Sequence, residues 1–325
     1  MPLPFIIAAG VALAAAGYGV KKGIDALDAD CEADEFIKKA ESLKEEATKK
    51  AESAQSDCKL AFARFGEKKL HVLSHTVSNF LNHFHRLNRS RIIIEDMQDI
   101  QCQVSDARNL LNQLNANGID GDSAPGVIAG CVGLGNSSFT AGAILGGGLA
   151  ASGLAGMAVI GGIVAGPALA ILGALSADEM EKKREDAKAY LSQVKAAVKK
   201  ADAMIDNLQA VRKMADLFTR QITKLDALFF SLSQDAIATM KKHHYDTSRY
   251  DQEEKDQLCV TVSTLFSLSA FLKVSIMDEH QKLNKKAQNA LNLMRNQINA
   301  IESTQESGHY DVAMIQSNQK GLKNL

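Results

Sequence analysis

The sequence predicts an all-α protein: an elongated helical bundle or coiled coil with a central glycine-rich apolar helical hairpin. Three observations predict it. Apolar residues recur at three- and four-residue intervals through two long charged tracts, the spacing that lines one face of a helix. Prolines stand only at 2, 4, 125 and 167, so helices elsewhere meet no breaker. Between the tracts lies Pro125 to Ala177, with no charged residue from Asp122 to Asp178.

Residues 1–22 form an apolar N-terminal segment, MPLPFIIAAGVALAAAGYGV followed by Lys21 and Lys22. A secretory signal peptide carries its positive charges before the apolar run, and here they follow it. The expectation is therefore cytoplasmic synthesis with association to a membrane, the inner membrane first, and no export by such a signal.

Residues 23–122 are expected to hold the long helices of a stalk or bundle. From about Asp30, Phe36, Ala40, Leu43, Ala47, Ala51, Ala54 and Cys58 make a narrow alanine-rich seam of coiled-coil type. It broadens to Leu70, Leu73, Val77, Phe80, Phe84 and Leu87. His71 and His75 stand one turn apart, but without the acid of a HExxH helix they read as polar-face histidines, as do His83 and His85. A pH-sensing role is the alternative for this histidine cluster. Arg86, Arg89 and Arg91 read either as a solvated turn or, with Lys21 and Lys22, as contacts to anionic lipid head groups. A further helix over about Glu95 to Leu114 ends at the turn formers NANGIDGDSAP.

Residues 123–177 are the predicted membrane-active hairpin. One helical pass needs about 20 apolar residues, and this stretch is long enough for two. Gly126 and Gly130, Gly142 and Gly146, and Gly162 and Gly166 stand four apart, and Gly148, Gly156 and Pro167 share the same run. Small residues on one helix face let two backbones approach closely. The alternative is a hairpin permanently buried in a bundle, since glycine costs about 1 kcal/mol relative to alanine inside a helix.

Residues 178–303 are expected to form a long coiled-coil helix and a C-terminal helix. The seam runs Leu191, Val194, Val198, Ala201, Ile205, Leu208, Ala215, Phe218, Ile222, Leu225, Phe229, Leu232 and Ala236, with Arg212 at one seam position. The helix is bounded at about Asp178 and Lys241, and its partner is either the first long helix or another subunit. Asp251 and Glu254 have capping-box spacing for the next helix. Its uncharged run 258–272 is too short to span a membrane and reads as a buried helix. Ala287, Leu291, Met294, Ile298 and Ile301 form a last amphipathic face, and 304–325 is expected to be a flexible tail.

Composition narrows the function. With 37 basic and 38 acidic residues, net charge gives no argument for nucleic acid. Five scattered cysteines without a CxxC pair suit free thiols better than disulfides or zinc. No phosphate loop, GxGxxG, GxSxG or HExxH is present, so neither an enzyme nor a cofactor or metal site is expected.

The opening MPLPFIIAAGVALAAAGYGVKKGIDA, the central GGIVAGPALAILG with Gly162, Gly166 and Pro167, and the late FLKVSIMDEHQKLN resemble a widespread, largely uncharacterised bacterial family. The resemblance implies a long charged helix, an apolar centre and another long helix, and no activity. Here the apolar centre is shorter than in that pattern, which leaves the number of membrane passes open. In architecture alone the chain is similar to α-helical pore-forming toxins and apolipoprotein L. The expected function is membrane association by an oligomerising glycine-zipper hairpin, as pore or anchor, in the manner of a toxin or an antiviral cell-death effector. A non-catalytic coiled-coil scaffold or sensor, binding a protein partner through its long helices, is the alternative.

Overall fold

In the computed structural model, the described residues are 24–89, 104–112, 177–277, 283–307, 312–319 and 321–322. They are all-α. Helix α1 is Ile24–His71, continued by a π-helix at Val72–Val77 and by α2 at Ser78–Arg89. A helical segment lies at 104–112. Then come α3 (Ala177–Lys242), α4 (Gln252–Lys273), α5 (Lys285–Ser307) and α6 (Val312–Gln319). No strand occurs among the described residues, and one antiparallel bridge pairs Met277 with Leu283. The chain divides into two compact units, Met1–Asp57 with Ala155–Gln209 and Cys58–Leu154 with Ala210–Leu325.

In the first unit the alanine seam of α1 packs on α3 of the same chain. Ala40 lies in a cluster with Tyr190, Leu191 and Val194, flanked by Phe36, Leu43 and Val198. The small side chains let the two helices come close, and polar contacts then set their register. Arg184 pairs with Glu32 at 3.5 Å and Lys183 with Asp34 at 3.8 Å, while the Tyr190 hydroxyl donates to Glu41 at 2.5 Å. Partner numbers rise together along both helices, so within this unit they run parallel. Glu45 with Lys49 and Glu46 with Lys50 are exposed pairs along one helix, worth a few tenths of a kcal/mol each.

In the second unit the seam widens into an aromatic core. Phe65 meets Phe218 edge to face at 6.0 Å, and Phe80 meets Phe229 at 5.6 Å. These pairs again rise together, so α1–α2 and α3 are parallel here too. Buried positions from this part of α1 through the π-helix into α2 fall in adjacent pairs that step mostly by four, from Ala61 and Phe62 to Phe80 and Leu81. On an α-helix each such step rotates the face by about 40°. The wider turn of the π-helix takes up that rotation and keeps Val72, Leu73, Thr76 and Val77 inward.

The α3 seam holds, with one correction. The seam position assigned to Arg212 belongs to Val211, which is buried, while Arg212 is exposed and lies near Asp216. The step Ile205–Leu208–Val211 repeats a three-residue interval, a stammer that locally overwinds the seam.

Helix α4 is buried on every side from Leu258 to Leu272 apart from half-buried Phe266. Its hydroxyls make this tolerable by bonding back to their own helix. Thr261 donates to Gln257 O at 2.7 Å, Thr264 to Val260 O at 2.8 Å, and Ser269 to Leu265 O at 2.8 Å. Nearly every polar group expected to want water thus has an internal acceptor. The segment 304–325, expected to be a flexible tail, contains α6. Ile315 and Leu322 are buried, and the Gln319 side-chain amide donates to Ser263 O at 2.8 Å, fastening α6 to α4.

Candidate functional site

The residues singled out for membrane insertion lie outside the described residues: Gly126, Gly130, Gly142, Gly146, Gly148, Gly156, Gly162, Gly166 and Pro167. So do Lys21, Lys22 and Arg91. Arg89 is the last residue of α2. Arg86 does not sit in a turn between helices; it is inside α2 and bound to Tyr245.

That contact belongs to a polar network around the turn from α3 to α4. Helix α3 has no glycine at its end, yet it closes with Schellman geometry. Tyr245 N–H donates to Met240 O at 2.7 Å and His244 N–H to Lys241 O at 3.1 Å. His244 (φ 54°) and Tyr245 (φ 64°) are both in the left-handed region, at a cost of about 1–3 kcal/mol each for residues with a Cβ. Side-chain contacts offset that cost. Arg86 Nη1 donates to the Tyr245 hydroxyl at 2.8 Å and its guanidinium lies 4.0 Å from the ring centroid. His83 Nδ1 lies 2.8 Å from the same hydroxyl, and the His83 and Tyr245 rings are parallel within 6°. Burial, then Lys241 and Arg86, push the His83 imidazole below its ordinary value, so it is neutral at neutral pH.

On the α4 side of the turn, Glu254 gathers three donors. Lys242 Nζ reaches it at 2.7 Å, His243 Nε2 at 2.9 Å and Asp251 N–H at 3.2 Å. Asp251 accepts from Glu254 N–H at 2.8 Å, completing the capping box read from the sequence. Burial pushes the Glu254 carboxyl up, but the hydrogen bonds outweigh it and hold the group at about 2. Asp246 accepts from Ser248 Oγ and N–H, which lower its carboxyl, and so starts the short 3-10 turn Thr247–Arg249. These bonds tie the turn to the start of α4.

Two other clusters carry titratable side chains. His71 and His75 are exposed and stacked, with centroids 4.6 Å apart and planes 16° apart. His75 Nδ1 faces both His71 O and Ser74 Oγ, and Ser74 donates to Leu70 O. Nearly parallel rings send their outer nitrogens side by side, whereas metal ligands converge. No group of three or more His, Cys, Asp or Glu among the described residues is placed to hold a metal ion. Lys69 is 1% exposed, with its amine 4.3 Å from the Phe65 ring centroid, and burial pushes it down to about 7. Its neighbour Lys68 pairs with buried Asp226 at 2.8 Å.

The sequence alone sets His83 among polar-face histidines and gives residues 241–250 no role of their own. The signal for the turn is a helix that stops at KKHHY without glycine or proline, where side chains have to hold the left-handed cap. No family model, curated protein or solved structure matches the chain.

Proposed function

We propose that this is a non-enzymatic, membrane-associating helical protein, whose helices α1–α6 carry the apolar stretch 123–177 to a bilayer. The observation that supports it most is the distribution of uncharged sequence. The run 258–272 is taken up as the interior helix α4. The longer run, uncharged from Asp122 to Asp178, is the one whose length and glycine spacing fit close-packed helices in lipid. Among the described residues no helix is long and apolar enough to cross a membrane, so in this reading the bilayer contact falls to 123–177 and 1–22. Insertion is driven by moving apolar surface out of water, and self-association by small-residue packing. The result is a pore or an anchor.

The test is flotation of the full-length protein with anionic liposomes, with dye release followed in parallel. Flotation with leakage supports a pore, and flotation without leakage an anchor. Absence of flotation overturns the reading in favour of a coiled-coil scaffold. Gly146→Leu with Gly162→Leu is expected to abolish leakage, and unchanged leakage would sink the close-packed hairpin.

A further inference from the structure

We infer that His83, Tyr245 and Arg86 form a proton-operated latch, closed while His83 is neutral, that fastens the C-terminal end of α2 to the turn after α3. The inference concerns the described helices alone and does not depend on the membrane reading.

Donor and acceptor counting fixes the closed state. A guanidinium only donates, so Arg86 Nη1 occupies a lone pair of the Tyr245 oxygen. The phenol has a single hydrogen, and its remaining neighbour is His83 Nδ1. The arrangement that leaves the phenol hydrogen paired therefore has the hydroxyl donating to Nδ1 and the imidazole proton on Nε2. Protonation of Nδ1 turns that acceptor into a donor. The phenol oxygen then has a donor on each lone pair, and its own hydrogen loses its partner. The new imidazolium also faces cations on both sides: Arg86 one turn along its own helix and Lys241 at the end of α3. The carboxylates of the turn are already engaged, Glu254 by Lys242 and His243 and Asp246 by Ser248 and Arg249. Each of these changes disfavours the contact.

The turn is built to respond. Tyr245 is nearly buried, and both it and His244 hold left-handed backbone that residues with a Cβ adopt at a cost. Once the ring is released, the backbone gains by leaving that region. The strain opposes the latch, and the two hydrogen bonds and the ring contact hold it shut. Acid removes one of them and weakens the others. The opening midpoint lies below the ordinary imidazole value of about 6.5.

The experiment is hydrogen exchange of the full-length protein at about pH 7.5 and pH 5.0, corrected for the intrinsic pH dependence of exchange, over peptides 80–89 and 243–250. In the wild type, protection of both peptides is expected to fall about tenfold or more at the lower pH. His83→Gln keeps an acceptor for the Tyr245 hydroxyl and cannot titrate, so its protection should stay within about twofold. Tyr245→Phe should be weakly protected already at the higher pH and fall no further. An unchanged wild type, or an equal fall in His83→Gln, overturns the latch. Imidazole 15N shifts of the wild type give a second reading that needs no variant. A neutral His83 carrying its proton on Nδ1 would equally overturn it.

Discussion

Tyr190 on α3 donates its hydroxyl hydrogen to Glu41 on α1 at 2.5 Å, beside the cluster in which Ala40 of α1 meets Leu191 and Val194 of α3. Alanine pairs slide past one another with little preference for register. A buried ring with a directional bond at its tip does not, and so fixes which residues of the two helices stand opposite. Tyr190→Phe keeps the ring and removes the bond, and is expected to cost about 1–2 kcal/mol. Burial first, and then Glu41, push the Tyr190 phenol up; burial, then Glu254 and other acidic neighbours, do the same to Tyr250. An alkaline absorbance titration should therefore show late-titrating tyrosines, one fewer of them in Tyr190→Phe.

Lys69 gives a stability slope on the alkaline side. Its folded value, about 7, lies below the 10.5 of an exposed lysine. Between those values the unfolded chain holds a proton that the folded chain does not, so this group makes stability rise with pH across that window. Below pH 7 both states are protonated and the buried ammonium imposes its full penalty, on the order of a few kcal/mol. Lys69→Met should raise the urea midpoint most at about pH 6 and flatten the rise. A lower midpoint at pH 6 would show that the amine is stabilising where it lies.

Glu254 works in the opposite direction. Its carboxyl is held at about 2 against 4.5 in an exposed glutamate, so its contribution is present above 4.5 and is lost as pH falls toward 2. Glu254→Gln retains a side-chain acceptor for Asp251 N–H but loses the charge that draws Lys242 and His243. The expected cost is about 1–2 kcal/mol near pH 7, falling to roughly half of that at about pH 3. Urea midpoints of both proteins at the two pH values check it.

Cysteine reactivity should divide by burial. Cys58 is enclosed, and burial, against a smaller opposing effect of Arg212, pushes its thiol to about 11; Cys31 is exposed. With Cys102 and Cys131 changed to serine, iodoacetamide at about pH 8 should label Cys31 within minutes and leave Cys58 and buried Cys259 unlabelled until urea is added. Labelling of native Cys58 at a rate equal to Cys31 would contradict the packing of α1 on α3 in the second unit.

Elements that depend on local chemistry were legible in the sequence. The long helix expected at Asp178–Lys241 is Ala177–Lys242, the Asp251–Glu254 capping box forms, and the serine-rich 258–272 is interior. What escaped depends on partners distant in sequence. Val211 and Arg212 fit the seam spacing equally well, and the packing of the facing helix decides for Val211. Lys69 sits in the charged run EKK, where nothing marks one lysine for the core. In 304–325 only Ile315 and Leu322 supply apolar anchors, and the Gln319–Ser263 bond that seats α6 joins residues 56 apart. His83 looked like a surface residue because Tyr245, its partner, lies 162 positions away.

Those separations bear on how the chain is made. Within each unit α1–α2 packs in parallel on α3, and the bonds joining them connect residues 149 to 162 apart. At about 5–20 residues per second, a ribosome needs roughly 10–30 s after making α1 to deliver its partner. A helical hairpin would close almost as soon as its second helix emerged. Here the alanine seam and the phenylalanines of α1 wait in an unfinished chain, open to chaperones or to the same helix on a neighbouring ribosome. The apolar 123–177 stretch is synthesised within that interval. Assembly order is thus written into the topology, and polysomes of this protein are where premature pairing between chains should first be sought.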